Sequence, residues 1–122
     1  MTSLLAVLLL IPLGEARVTW YWLPTRHAAY HHGQTPAGFT PYVDYYHLGI
    51  AAPASVPFGT RVLLRRVDTG DMVLATVVDR TASGAGWDAW PATSEALGFG
   101  PSYDRDDAGV VQCQIWMIGE GQ

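Results

Sequence analysis

Runs of branched apolar residues, separated by short polar turns, dominate the second half of the chain. Residues 61–67 (RVLLRRV) and 72–78 (MVLATVV) are two such runs, and DTGD lies between them at 68–71. This pattern predicts two antiparallel strands joined by a hairpin turn. The runs are nearly continuous instead of strictly alternating, which indicates burial on more than one face, as in a small closed barrel.

Further elements are predicted on either side of this hairpin. The segment PFGT at 57–60 has the composition of a tight turn, and residues 110–118 (VVQCQIWMI) form the predicted last strand. A short helix is predicted over 93–97, with Thr93 or Ser94 as its N-cap and Gly98 as its end. Thirteen glycines, eight prolines and no long helical periodicity favour an all-β fold, and 122 residues suffice for one domain.

The N-terminal segment is an apolar run of signal-peptide length. Residues 4–13 (LLAVLLLIPL) carry no charge and are too few to span a bilayer, and Gly14, Glu15 and Ala16 follow before Arg17. We predict a signal peptide over 1–16 and a domain over 17–122. The alternative is a retained apolar segment. The first interpretation places the protein outside the cell, in the periplasm or in the cell envelope.

Composition narrows the classes of partner and chemistry. The net charge of −4 argues against nucleic acid, since binding phosphates requires clustered Lys or Arg. All seven basic residues are arginine, which excludes Schiff-base chemistry. The single cysteine, Cys113, has no partner for an internal disulfide and no evident base to make it a nucleophile. His27 and His31 have the spacing of helical metal ligands, but no third ligand is evident, so we expect neither metal nor cofactor.

Several short motifs follow one another between residues 18 and 118. They are TWYW at 19–22, QTPAG at 34–38, VPFGTRV at 56–62, VDR at 78–80, WDA at 87–89 and SEALG at 94–98. Their order and spacing resemble the double-psi β-barrel domains of the rare lipoprotein A group, and the related three-aspartate domain of membrane-bound lytic transglycosylase A. The resemblance implies an all-β fold, a six-stranded double-psi β-barrel with one or two short helices.

The chain departs from these families at three positions of the expected groove. Ala52 stands where the three-aspartate domain has its first aspartate, and Pro53 stands where rare lipoprotein A domains have a histidine. Thr81 replaces the glycine that usually follows the first retained aspartate by two residues. One polar member of the groove is therefore missing.

The resemblance implies that Asp88 is a general acid and that Asp79 supports it. A carboxylic acid protonates a glycosidic oxygen only if its pKa is raised from about 3.9 toward the working pH. Trp87 and Trp90 flank Asp88 in the sequence, and apolar walls together with a second carboxylate would raise its pKa. In the alternative interpretation Asp79 caps a turn or pairs with Arg80, and Asp88 caps the loop.

Aromatic residues indicate a sugar-like ligand, because flat rings stack on the apolar faces of sugars. The rings in loop-like sequence are the better candidates for this role, together with two polar neighbours. The predicted substrate-binding residues are Tyr45, Tyr46, His47, Arg80, Trp87 and Trp90.

Two functional hypotheses follow. The first is a lytic transglycosylase that cleaves peptidoglycan glycan strands and leaves 1,6-anhydro products, with Asp88 and Asp79 as the catalytic residues. The second is a non-catalytic barrel that binds glycan, as expansin-like proteins do, or that serves as a structural module of a cell envelope or a phage tail. In the second case the protein could be a component of a virion tail.

Overall fold

A computed structural model describes residues 8–20, 48–81, 86–100 and 109–120 of the chain. These residues form six strands and one helix. They are β1 (Leu8–Trp20), β2 (Gly49–Ala52), β3 (Arg61–Arg66), β4 (Met72–Arg80), β5 (Trp87–Ala89), α1 (Pro91–Ala96) and β6 (Val110–Glu120). The elements confirm the predicted all-β class with a short helix.

The strands close into a barrel in the order β1-β5-β2-β4-β3-β6. Two neighbouring pairs, β1 with β5 and β2 with β4, are parallel, and the other pairs are antiparallel. Parallel neighbours cannot be joined by a tight hairpin, so the chain has to cross the barrel between them. The short strand β2 lies between β5 and β4, and all four of its residues are buried.

The barrel interior is filled by side chains that alternate with outward-facing ones along each strand. The hairpin of β3 and β4 illustrates this, because Val62 and Leu64 on β3 and Val73 and Ala75 on β4 are buried while Leu74 is 41% exposed. The predicted hairpin is confirmed by the pairing of Arg61 to Arg65 with Thr76 to Met72. The buried cluster comprises Val18, Ile50, Ala52, Val56, Val62, Leu64, Val73, Ala75, Val77, Trp87, Ala89, Leu97, Phe99, Val111, Cys113 and Ile115.

The helix starts two residues earlier than predicted. Its N-cap is Trp90 and Pro91 occupies the first turn, where the fixed φ of proline suits a helix start. The predicted caps, Thr93 and Ser94, lie inside the helix. There the hydroxyl of Thr93 donates to the carbonyl of Gly49 (2.7 Å), and the hydroxyl of Ser94 donates to the carbonyl of Pro91 (3.0 Å). Gly98 follows the helix with a φ of +79°, as expected for its end. Among the described residues, no helix is long and apolar enough to cross a membrane.

Strand β1 includes residues 8–16, for which the sequence predicted a signal peptide. It pairs antiparallel with β6 from Leu8 opposite Glu120 to Thr19 opposite Val110. A bulge interrupts the register between Pro12 and Gly14, and Gly14 adopts a φ of +92° that favours glycine. Cleavage after residue 16 stays a prediction, and so do the domain limits that follow from it.

The only cysteine of the chain makes folding stability decrease as the pH rises into the alkaline range. Cys113 lies on β6 in the barrel core, and its burial raises the pKa of the thiol from 9.0 to about 11. Between these values the unfolded thiol loses its proton while the folded thiol keeps it. The unfolded state then binds fewer protons, so stability falls as the pH rises. We expect Cys113 to contribute a loss of about 2 to 3 kcal/mol between pH 9 and pH 11.

Urea unfolding at several pH values measures this contribution when the protein is compared with its Cys113→Ala variant. Substitution by alanine lowers stability at every pH because it leaves a small void, but it removes the titrating group. The variant should therefore show a flatter decline above pH 9. Parallel declines in the two proteins would show that the thiol does not carry the effect.

Candidate functional site

The strand register places Asp79 and Asp88 in one row on the barrel wall. Ala51, on the central strand β2, is the Cα partner of Asp79 on β4 and of Asp88 on β5. Cα partners of adjacent strands project to the same face of a sheet, and the register shift between Ile50 and Ala51 interrupts the alternation of β4 just before Asp79, so the register puts both aspartates on the face of Ala51. Neighbouring strands are about 4.8 Å apart, which separates the two aspartate backbones by roughly 10 Å. In the strand register, Ala51 is the residue between them.

Thr19 extends this row onto β1. It is the Cα partner of Asp88, and its hydroxyl donates a hydrogen bond of 2.7 Å to Oδ1 of Asp88. The same hydroxyl is 3.2 Å from the carbonyl oxygen of Trp87. Thr19 is exposed and Asp88 is partly exposed, so this pair is the part of the row that a ligand would meet first. The row, hereafter the aspartate row, consists of Asp79, Ala51, Asp88 and Thr19.

Asp79 is more enclosed than Asp88. Its side chain is only 6% exposed, and its Oδ1 accepts a hydrogen bond of 2.8 Å from the backbone N–H of Arg80. The guanidinium of Arg80 lies over the ring of Phe58, 3.9 Å from the ring centre. Within the described residues, Nη1 of Arg80 and Oγ1 of Thr81 are buried without a hydrogen-bond partner. Two donors that a polar ligand or a water could satisfy therefore lie directly after Asp79 in the chain.

The two tryptophans that flank Asp88 in the sequence are packed into protein. Trp87 is 7% exposed and belongs to the core cluster, and Trp90 is fully buried. Alternation along β5 explains the position of Trp87, because Trp87 and Ala89 point inward when Asp88 points outward, whereas Trp90 follows the strand and packs beside Gly49. Both rings provide apolar packing around the row, and a substrate contact by either of them stays a prediction.

Gly49 fixes the segment that follows Asp88 against the start of β2. Its carbonyl oxygen accepts hydrogen bonds from the backbone N–H of Trp90 (3.1 Å) and from the hydroxyl of Thr93 (2.7 Å). A Cβ atom at Gly49 would lie 2.8 Å from the Trp90 ring and from the side chain of Val78, closer than packed atoms approach. The absence of a side chain here allows the indole to cover the strand that carries Ala51.

The remaining predicted ligand contacts cannot be placed relative to the aspartate row. Tyr45, Tyr46 and His47 lie outside the described residues, as do His27 and His31. In the part of the chain that the structure describes, no three potential metal ligands come together. Ala52, at the family's first aspartate position, is fully buried in the core cluster, so the residue next to both aspartates is Ala51.

Thr19 was not among the predicted site residues. In the sequence it was only the first residue of the TWYW motif at 19–22. A local signal was present, since Thr19 alternates with Val18 and Trp20 and must face the other way. The partner of that outward face could not be inferred, because the parallel pairing of β1 with β5 joins residues 69 positions apart.

Comparison with known proteins supports the fold. No family model matches the chain, and no curated protein matches its sequence. An apo expansin from Clavibacter michiganensis superposes with a TM-score of 0.60 at 16% identity, over 89% of this chain and 52% of the expansin. A mutant of that expansin in complex with cellohexaose gives 0.59 at 18% identity over the same shares. Cerato-platanin 5 from M. perniciosa gives 0.53 at 17% identity, over 85% of this chain and 88% of the other.

These likenesses confirm the double-psi β-barrel. At such low identities they establish the fold alone, and the chain spans about half the length of the expansin. The more specific similarity to rare lipoprotein A and to the three-aspartate domain stays a prediction from the sequence motifs.

Proposed function

We propose that this barrel binds glycan strands, such as those of peptidoglycan, along the aspartate row. The observation that carries the proposal is the shared position of Ala51 between Asp79 and Asp88. Ala51 is itself only 2% exposed, so a sugar would meet the row at Asp88 and Thr19, and hydrogen bonds from its hydroxyl groups to the Asp88 carboxylate would be charge-assisted. The complex of the expansin with cellohexaose supports the idea that a barrel of this fold can belong to a glycan-binding protein.

The two aspartates have different roles in this proposal. Asp88 is accessible and is held by Thr19, so it contacts the sugar hydroxyls directly. Asp79 is buried and accepts a backbone hydrogen bond, so it acts mainly through its negative charge at the buried end of the row. A ligand of the cell wall requires the protein to be exported, and the pairing of residues 8–16 with β6 favours the alternative in which the apolar N-terminal segment stays attached. We therefore place the protein outside the cell or in the cell envelope.

Retention on insoluble peptidoglycan, with cellulose and chitin as parallel matrices, tests the proposal. Asp88→Ala removes a charged acceptor, and such hydrogen bonds contribute about 1.5 to 3 kcal/mol, so we expect binding to weaken about tenfold or more. Thr19→Val keeps the shape of the side chain but no longer orients the carboxylate, and it should cause a smaller loss. Asp71→Ala, at an exposed acid in the β3–β4 turn, is the control for net charge.

Each outcome of this experiment is decisive. Equal retention of the Asp88→Ala and Asp71→Ala variants would show that the aspartate row is not the binding site. If the unaltered protein is retained by none of the matrices, the glycan-binding function is wrong, and a structural role in an envelope or phage-tail assembly is the remaining hypothesis.

A lytic transglycosylase is the second candidate function, and the hydrogen bond from Thr19 to Asp88 favours it. Because Thr19 donates to Oδ1, a protonated Asp88 would carry its proton on Oδ2. A single carboxylic acid in a fixed orientation is sufficient for a reaction in which the 6-hydroxyl of the sugar is the nucleophile.

A further inference from the structure

The outer wall formed by β3, β6 and β1 carries a cleft that the aspartate row does not use. Pro12, Gly14, Glu15, Gln114, Ile115 and Trp116 line it, and its volume is about 300 Å³. This value is at the lower end of the range for small-molecule sites. The cleft lies beside the β1 bulge, where the interrupted register between Pro12 and Gly14 separates the strands locally.

The cross-strand register arranges the cleft and its surroundings into two parallel rows. Trp116 on β6 is opposite Leu63 on β3 and opposite Pro12 on β1, which gives an apolar row centred on an indole. Gln114 is opposite Arg65 on β3 and opposite Glu15 on β1, which gives a polar row. Nη1 of Arg65 donates a hydrogen bond of 3.2 Å to Oε1 of Gln114, so this amide is held in place.

The side chains of these two rows indicate which class of ligand the cleft would bind. An indole between an aliphatic side chain and a proline ring offers a flat apolar platform, and sugars present flat apolar C–H faces. Gln114, Arg65 and Glu15 offer both donors and acceptors, as the hydroxyl groups at the edge of a sugar ring require. The charges of Arg65 and Glu15 cancel, which favours an uncharged ligand over an anion or a cation.

We propose that this cleft, the Trp116 cleft, is a second glycan-binding site that holds one or two neutral sugar units of a polysaccharide. This inference rests on the proposed glycan-binding function and on a retained N-terminal segment, because Pro12, Gly14 and Glu15 line the cleft, and it adds a separate anchoring site to that function. The lining places the cleft on β6 and the N-terminal part of β1, whereas the aspartate row runs over β4, β2, β5 and the C-terminal end of β1. With sites on two different walls, the Trp116 cleft would hold the protein on an insoluble polymer while the aspartate row binds one glycan strand.

Retention of Trp116→Ala on insoluble peptidoglycan, cellulose and chitin tests the inference. Removal of the indole platform should weaken binding to at least one matrix by about tenfold. Trp116→Phe keeps an aromatic face and should restore most of the binding. Gln114→Ala removes one member of the polar row and should cause an intermediate loss. Gln112→Ala is the matched control, because Gln112 is an exposed glutamine of the same strand outside the cleft lining.

The same variants in an Asp88→Ala background separate failure of the inference from failure of the proposed function. If Trp116→Ala weakens retention equally with and without Asp88, the two sites act independently and the inference is supported. If the Trp116 variants bind like the unaltered protein while Asp88→Ala does not, the cleft is not a glycan site and the aspartate row still is. Loss of binding in Trp116→Ala without rescue by Trp116→Phe, together with a lowered unfolding midpoint, would assign Trp116 to packing and would also overturn the inference.

Discussion

Trp90→Ala is expected to lower the free energy of unfolding by about 3 to 5 kcal/mol, the range for truncation of a fully buried tryptophan. Trp90 has no exposed surface and lies against Gly49 and Val78. Because Gly49 and Val78 sit in paired strands, they cannot move to fill the space that the indole leaves. Urea unfolding of the two proteins measures the difference.

Leu74→Ala is the control for this prediction. Leu74 lies on β4 and is 41% exposed, so its truncation removes apolar surface without opening a cavity and should cost about 1 kcal/mol or less. Similar losses for the two variants would mean that Trp90 is not the packing element that fixes α1 on the barrel. Because unfolded protein does not present the site, Trp90→Ala should also weaken glycan binding at urea concentrations near its midpoint of unfolding.

Local sequence patterns were sufficient for the elements whose partners lie nearby in the chain. The β3–β4 hairpin followed from two apolar runs around a glycine-bearing turn, and the last strand followed from alternation around Cys113. The helix was predicted two residues late, because Thr93 and Ser94 have the side chains of N-caps while their hydroxyl groups bond to Gly49 and Pro91. Tertiary contacts, which a local pattern does not contain, decided the boundary.

The candidate site was predictable only in part, for a physical reason. Asp79 and Asp88 could be identified because their motifs resemble known groove motifs, and both lie in the aspartate row. The expectation that Trp87 and Trp90 would form apolar walls beside Asp88 and contact a ligand relied on their closeness to Asp88 in sequence. Alternation along β5 sends neighbours to opposite faces, so Trp87 turns inward where Asp88 turns outward.

The separation of the two carboxylates bears on the choice between a binder and an enzyme. A hydrolase that uses two carboxyl groups needs them at set distances on either side of the scissile bond. Asp79 is largely buried and roughly two strand spacings from Asp88, which suits electrostatic support better than direct attack. If the barrel is catalytic, Asp88 therefore has to act as both the acid and the base of one reaction cycle.

A transglycosylase reaction meets this requirement. Asp88 donates its proton to the glycosidic oxygen as the bond from that oxygen to the anomeric carbon breaks. The oxygen of the 6-hydroxyl then bonds to the anomeric carbon, and its proton returns to the Asp88 carboxylate. No water is consumed, and the product is a 1,6-anhydro sugar. Asp79 would stabilise the positive charge that develops on the sugar ring.

Asp88→Asn is therefore expected to abolish the release of 1,6-anhydro muropeptides from peptidoglycan, a loss of at least about a hundredfold, because the amide cannot transfer the proton. Asparagine keeps the size of the side chain and one acceptor oxygen for Thr19 but loses the charge, so retention on peptidoglycan should fall much less than in Asp88→Ala. Asp79→Asn should slow the reaction less, since it removes electrostatic support and leaves the acid in place.

Mass analysis of the released muropeptides measures all three proteins, because an anhydro product is lighter by one water than a hydrolysis product. Anhydro release by Asp88→Asn at the unaltered rate would exclude Asp88 as the acid, and unaltered protein that binds peptidoglycan without releasing such products would establish the barrel as a binding module.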